Sequence, residues 1–87
     1  MGYKNDGFPH DVEIKVSLAR LLRSTRMRRR LTQFELAERI GSSQSRVAKL
    51  EAGDPSVSVD LLVRSLLAVG TKPSELAKAV STKRRQY

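Results

Sequence analysis

Side chains able to make or break covalent bonds are scarce in this chain. His10 is the sole histidine and cysteine is absent, so disulfides and thiolate metal sites are ruled out, and the composition suits a reducing cytoplasm. No carboxylate cluster surrounds His10 to make it a general base or a metal ligand, and no glycine-rich phosphate loop occurs. The sequence therefore reads as no enzyme, with no cofactor and no metal. What it has in excess is cationic charge: 17 Lys and Arg against 9 Asp and Glu, a formal +8. Such a surface draws polyanions, nucleic acid above all, by releasing their counterions. A merely solvated basic domain has the same sum, so the arrangement of the charge has to decide.

The elements that must position this charge are legible from periodicity. At 87 residues the chain suits one domain with a single modest core. Its apolar runs are short and its first residues lack a contiguous hydrophobic stretch, which predicts a soluble cytoplasmic protein with no membrane partner. Residues 1–10, with Gly2, Gly7, Pro9 and an Asn5-Asp6-Gly7 turn signal, read as a flexible arm. From Asp11, a candidate N-cap, the apolar stripe Ile14, Leu18, Leu21, Leu22 and Thr25 predicts an amphipathic helix ending near Arg29 or Arg30, with Arg20, Arg23 and Arg26 on its other face.

Thr32-Gln33-Phe34-Glu35 is a capping box, and Leu36, Ala37 and Ile40 make a short apolar face that Gly41 terminates. Ser43 opens a third helix with Val47 and Leu50 facing inward, Ala48 adding a small contact, and Gly53 closing it. Asp54 to Val57, with Pro55, reads as a polar loop. Ser58 then precedes the stripe Val59, Leu62, Val63, Leu66, Leu67 and Val69, ended by Gly70. Pro73, with Glu75 behind it, starts a fifth helix carrying Leu76, Ala77 and Val80. No segment alternates with period two, so the expected fold is all-α, five helices around one core over residues 11–81, followed by a basic tail, 82–87, with Lys83, Arg84 and Arg85.

Packing constraints sharpen the reading of residues 32–53. A small Ala37 on the inner face lets the next helix cross closely, Gly41 supplies the turn, and Val47 and Leu50 close the angle from the other side. These fix two helices near perpendicular and leave the second protruding as a reader. The run Leu31-Thr32-Gln33-Phe34-Glu35-Leu36-Ala37-Glu38-Arg39-Ile40-Gly41-Ser42-Ser43-Gln44-Ser45-Arg46-Val47-Ala48-Lys49-Leu50-Glu51-Ala52-Gly53 resembles the helix-turn-helix of lambdoid phage repressors and the wider xenobiotic-response-element (XRE) family. The resemblance extends from about Leu18 to Val80 and implies a five-helix, lambda-repressor-like DNA-binding domain.

The resemblance also implies roles. Gln33, with the adjacent backbone amides, grips a DNA phosphate. Ser43, Gln44 and Ser45 open the recognition helix, where a glutamine can pair with the N6 and N7 edge of adenine. Arg46 and Lys49 share the exposed face, Arg46 for a base or a phosphate and Lys49 left open between them. Arg26 and Glu51 form a structural pair joining the first helix to the third. Arg28, Arg29 and Arg30 approach phosphate or make a solvated basic turn, and Arg39 is solvated or paired with Glu38 or Glu35.

One departure is the loop Asp54-Pro55-Ser56-Val57-Ser58, where similar proteins carry basic residues. Backbone amides and the two serines are expected to serve there instead, with added weight on Arg28 to Arg30, on Lys4 in the arm and on the tail. The implied function is a sequence-specific regulator of transcription, a repressor, binding a palindromic double-stranded operator as a homodimer. Leu76 and Val80 with the end of the fourth helix are read as either dimer interface or core. The alternative is an antitoxin that binds operator DNA and also a partner toxin, using residues 1–15.

Overall fold

The computed structural model describes the backbone of residues 3–81 and the side chains of residues 13–81. Among the described residues five helices follow one another: α1 (Tyr3–Arg28), α2 (Gln33–Arg39), α3 (Gln44–Ala52), α4 (Val59–Ala68) and α5 (Pro73–Ser81). The side chains of Lys4, His10 and Asp11 and the basic tail Lys83 to Arg85 lie outside the described residues. α1 starts at Tyr3, ahead of the expected cap at Asp11. Asp11 therefore sits inside the helix; extending a nucleated helix costs far less than starting one.

Each junction is built from local chemistry. α1 stops where Arg30 takes a left-handed φ of 60° and Leu31 N–H donates to the Arg26 carbonyl at 3.0 Å. A non-glycine residue in that region costs of order 1–2 kcal/mol, so the turn is held by what surrounds it. The capping box is complete: Glu35 N–H donates to Thr32 Oγ1 at 3.0 Å and Thr32 N–H donates to Glu35 Oε1 at 2.8 Å. Gly41, at φ 65°, reverses the chain after α2. A side chain there would meet no neighbour but would be strained by the backbone itself. Ser43 and Ser58 cap α3 and α4, accepting from the Arg46 and Leu61 amides at 3.2 and 3.1 Å.

The core is one cluster: Leu18, Ala19 and Leu22 of α1, Leu36 and Ala37 of α2, Val47 and Leu50 of α3, and Leu62, Leu66 and Val69 from α4 and its end. Full burial of each large aliphatic side chain is worth about 1.5–3 kcal/mol. α1 is the hub, packing against α3, α4 and α5, while α2 packs on α3. Two positions differ from the pattern expected for residues 54–69. Val57 of the supposed polar loop is 2 % exposed, and Leu67 of the supposed apolar stripe is 50 % exposed. α5 contributes no fully buried side chain; Leu76, Ala79 and Val80 are half-buried against the core.

Candidate nucleic-acid interface

α3 divides into two faces. Val47 and Leu50 are fully buried and anchor it, while Gln44, Ser45, Arg46 and Lys49 are exposed on its outer side. Ser43, also exposed, has its hydroxyl oxygen accepting from the Arg46 amide.

A directed chain of hydrogen bonds runs from α1 to the first residue of α3. Arg26 donates through Nε to Glu51 Oε2 at 2.6 Å and through Nη2 to Oε1 at 3.1 Å. Arg26 also holds the Leu31 carbonyl at 2.8 Å. Gln33 Nε2 donates to Glu51 Oε1 at 3.2 Å, and Gln44 Nε2 donates to Gln33 Oε1 at 2.7 Å. The direction of every link follows from the first. A carboxylate can only accept, so Gln33 must turn its NH2 group toward Glu51 and its oxygen outward. That oxygen in turn orders the Gln44 NH2 group. Gln44 is left with its carbonyl oxygen and its second amide hydrogen uncommitted, one acceptor beside one donor. The Arg26 and Glu51 side chains are 13 % and 5 % exposed, so the base of this relay is largely shielded from water.

Beside the relay, Arg23, Arg26, Gln33, Ala48 and Glu51 line a shallow groove of about 290 Å³ between α1 and α3. Arg23, read from the sequence only as lying with Arg20 and Arg26 on the other face of its helix, was not among the expected contacts. The signal was its spacing: Arg23 lies three residues before Arg26, on the same side of α1, and the two line one groove. Arg23→Ala is expected to weaken binding of all duplexes alike and to lower the slope of log affinity against log salt by about one. Titration of one specific and one scrambled duplex at several salt concentrations measures both.

Arg28 and Arg29 are placed elsewhere. Arg28 Nη2 donates to Thr25 Oγ1 at 3.2 Å and lies 3.7 Å from Glu75 Oε2, while Arg29 Nη2 reaches the Gly70 carbonyl at 3.4 Å. Both lean on the corner between α4 and α5 and are not brought into the Gln33–Gln44 relay. Arg39 is exposed, lines a cavity together with Arg46 and makes no pair with Glu38 or Glu35 among the described residues; Glu35 is spent on its capping box.

The loop after Gly53 is closed on itself. The Asp54 carboxylate accepts from the Ser56 amide at 2.8 Å and from the Ser56 hydroxyl. Those bonds hold its pKa below the ordinary carboxylate value. Ser56 thus has both of its donors directed at Asp54, and the Ser58 oxygen caps α4. The loop brings an anion to this side of the molecule, and of its two serines only Ser58 keeps a hydroxyl hydrogen to donate.

No helix among the described residues is long and apolar enough to cross a membrane. A comparison with curated proteins and with solved structures found no match to the chain. A family model does match, over residues 17–79, from the middle of α1 to the last turn of α5. The segment it covers holds the capped α2, the Gly41 turn, the exposed face of α3 and all of the packing that sets their angle, and the chain belongs to the helix-turn-helix domain family.

Proposed function

We propose that this protein is a sequence-specific regulator of transcription, a repressor, that inserts α3 into the major groove of double-stranded DNA. The observation that carries this reading is the free donor and acceptor pair of Gln44, aimed outward by the relay from Arg26 through Glu51 and Gln33. Adenine offers the complementary pair, an N6 donor beside an N7 acceptor, in the major groove. Ser45 and Lys49, one helical turn apart on the exposed face, and Arg46 beside them take the neighbouring bases and phosphates. Gln33, whose second amide hydrogen is uncommitted, serves a phosphate, with Arg23 next to it. Arg28 and Arg29, leaning on the α4–α5 corner, make the outer phosphate contacts, and Ser43 adds its hydroxyl hydrogen at the start of α3.

One α3 reads only a few base pairs, so the operator is a palindrome bound by two copies, with half-sites about one DNA turn apart. The dimer contact is assigned to Leu67 at the end of α4 with the half-buried Leu76 and Val80 of α5. Selection from a randomised duplex pool tests the whole reading. An inverted repeat with adenine at a fixed place in each half-site is the expected result; a pool with no enriched motif overturns it.

The antitoxin reading has one observation in its favour: α1 continues toward Tyr3, well ahead of the family match, which starts at residue 17. A partner toxin would dock on that extension, and operator binding would survive its removal.

A further inference from the structure

We propose that the cavity between α2, α3 and α4 binds a small organic carboxylate with an apolar body, and that this ligand weakens DNA binding by engaging Arg46. The inference rests on the DNA-binding reading above.

The cavity measures about 280 Å³. That is too small for a folded partner and just below the volumes that hold drug-sized molecules, roughly 300–1,000 Å³, so it suits a smaller ligand. Its walls are apolar: Ile40 from the end of α2, Leu50 from α3, and Leu61 and Ala68 from α4. Ser42 and Ser65 also border it; the Ser65 hydroxyl already donates to the Leu61 carbonyl at 2.8 Å, which leaves the Ser42 hydroxyl as the open neutral polar group of the lining. An inorganic anion would leave this apolar floor uncovered, whereas a hydrocarbon or aromatic body would fill it.

The charge around the cavity is of one sign. Arg39, Arg46 and Arg64 all line it, and no carboxylate does. Arg64 is paired with Asp60 at 3.2 Å, but those side chains are 73 % and 74 % exposed, and an exposed ion pair of this kind is worth little. Arg39 and Arg46 have no ion-pair partner among the described residues. Three arginines bordering an apolar floor are complementary to a carboxylate carried on an apolar body, since a guanidinium fork can grip a carboxylate in two parallel hydrogen bonds.

Arg46 makes the cavity regulatory. It belongs to the exposed face of α3 and lines the cavity at the same time. One guanidinium cannot be drawn to a carboxylate in the cavity and to DNA at once, so the two ligands compete. By linkage, each weakens the other by the same factor.

The test uses the full chain and three probes: 4-phenylbutyrate, with charge and apolar body; acetate, with charge alone; and 4-phenyl-1-butanol, with the body alone. Binding is followed first without DNA, by amide chemical shifts and calorimetry. Phenylbutyrate is expected to bind at least about tenfold more tightly than either control, a charge-assisted contact being worth at least that factor, with shifts centred on Ile40, Leu61 and Ala68. Arg39→Ala combined with Arg64→Ala is expected to cut probe affinity about tenfold or more while leaving duplex affinity within about twofold. Ala68→Phe, which fills the cavity from the exposed side of α4, is expected to abolish probe binding.

Equal binding of all three probes, or unchanged binding in both variants, overturns the site. A phenylbutyrate complex that leaves affinity for the selected duplex unchanged overturns the competition. Failure of the wild-type chain to select any duplex is a separate outcome: it overturns the DNA-binding reading and the regulatory claim with it, while the probe measurements without DNA still decide the site.

Discussion

Glu51→Ala is expected to destabilise the fold by about 3–5 kcal/mol, the usual cost of deleting one partner from a largely buried ion pair. The value follows from what is left behind. Glu51 accepts two bonds from Arg26 and one from Gln33. Without it, a guanidinium only 13 % exposed keeps a single acceptor, the Leu31 carbonyl at 2.8 Å, and the Gln33 amide loses the group that set its direction. Small domains are stable by only about 5–15 kcal/mol, so the variant should lose roughly a fifth of its margin or more. Urea unfolding measures this as a lower midpoint at unchanged slope.

Two companions separate a charge left unpaired from a contact merely lost. Glu51→Gln keeps an acceptor oxygen for Arg26 and should fall between wild type and alanine. The double variant with Arg26→Ala, which removes both charges, should be no less stable than Glu51→Ala alone. A loss below about 1 kcal/mol for Glu51→Ala, the range of an exposed pair, would show that the relay has no buried foundation.

What the sequence made legible, and what it hid, divides by the range of the interaction. The capping box at Thr32, the glycine stops at Gly41 and Gly53 and the cap at Ser43 are each closed by residues within a few positions, and all appear in the structure. The Arg26–Glu51 pair spans 25 positions and was visible through the family resemblance alone. Arg28 and Arg29 show the limit. Their partners, Glu75 and the Gly70 carbonyl, lie over forty positions on, and no local pattern distinguishes a guanidinium bound for that corner from one facing the α2–α3 pair.

Leu67 and Val57 fail for a related reason. At about 100° per residue the six apolar residues of the stripe spread over an arc of roughly 160°, with Leu67 and Val69 at its two margins, so one margin can turn outward. Which one does so depends on where α1 crosses α4. Val57, outside any periodic segment, is buried because the loop from Gly53 must return to the core to start α4: Val57 N–H donates to the Asp54 carbonyl at 3.0 Å and its side chain is 2 % exposed.

Gln44→Ala is expected to remove the preference for one base pair in each half-site, at a cost of about 1–3 kcal/mol against the selected sequence. Binding to scrambled duplexes should hardly change. The specificity ratio, measured at one salt concentration, is therefore the informative quantity. The relay adds a second, sharper expectation. Gln33→Ala leaves Gln44 in place but takes away the oxygen that receives its amide at 2.7 Å, so the carboxamide is free to rotate and must be ordered when DNA binds. Its effect should have two parts: a uniform loss on all sequences from the phosphate contact, and a smaller loss at the base pair that Gln44 reads, which vanishes when Gln44 is already alanine. A loss that is the same for every sequence, with or without Gln44, would show that Gln33 does not order Gln44. If Gln44→Ala lowers affinity for selected and scrambled duplexes by the same factor, Gln44 does not read a base, and the donor and acceptor pair presented by the relay has another use.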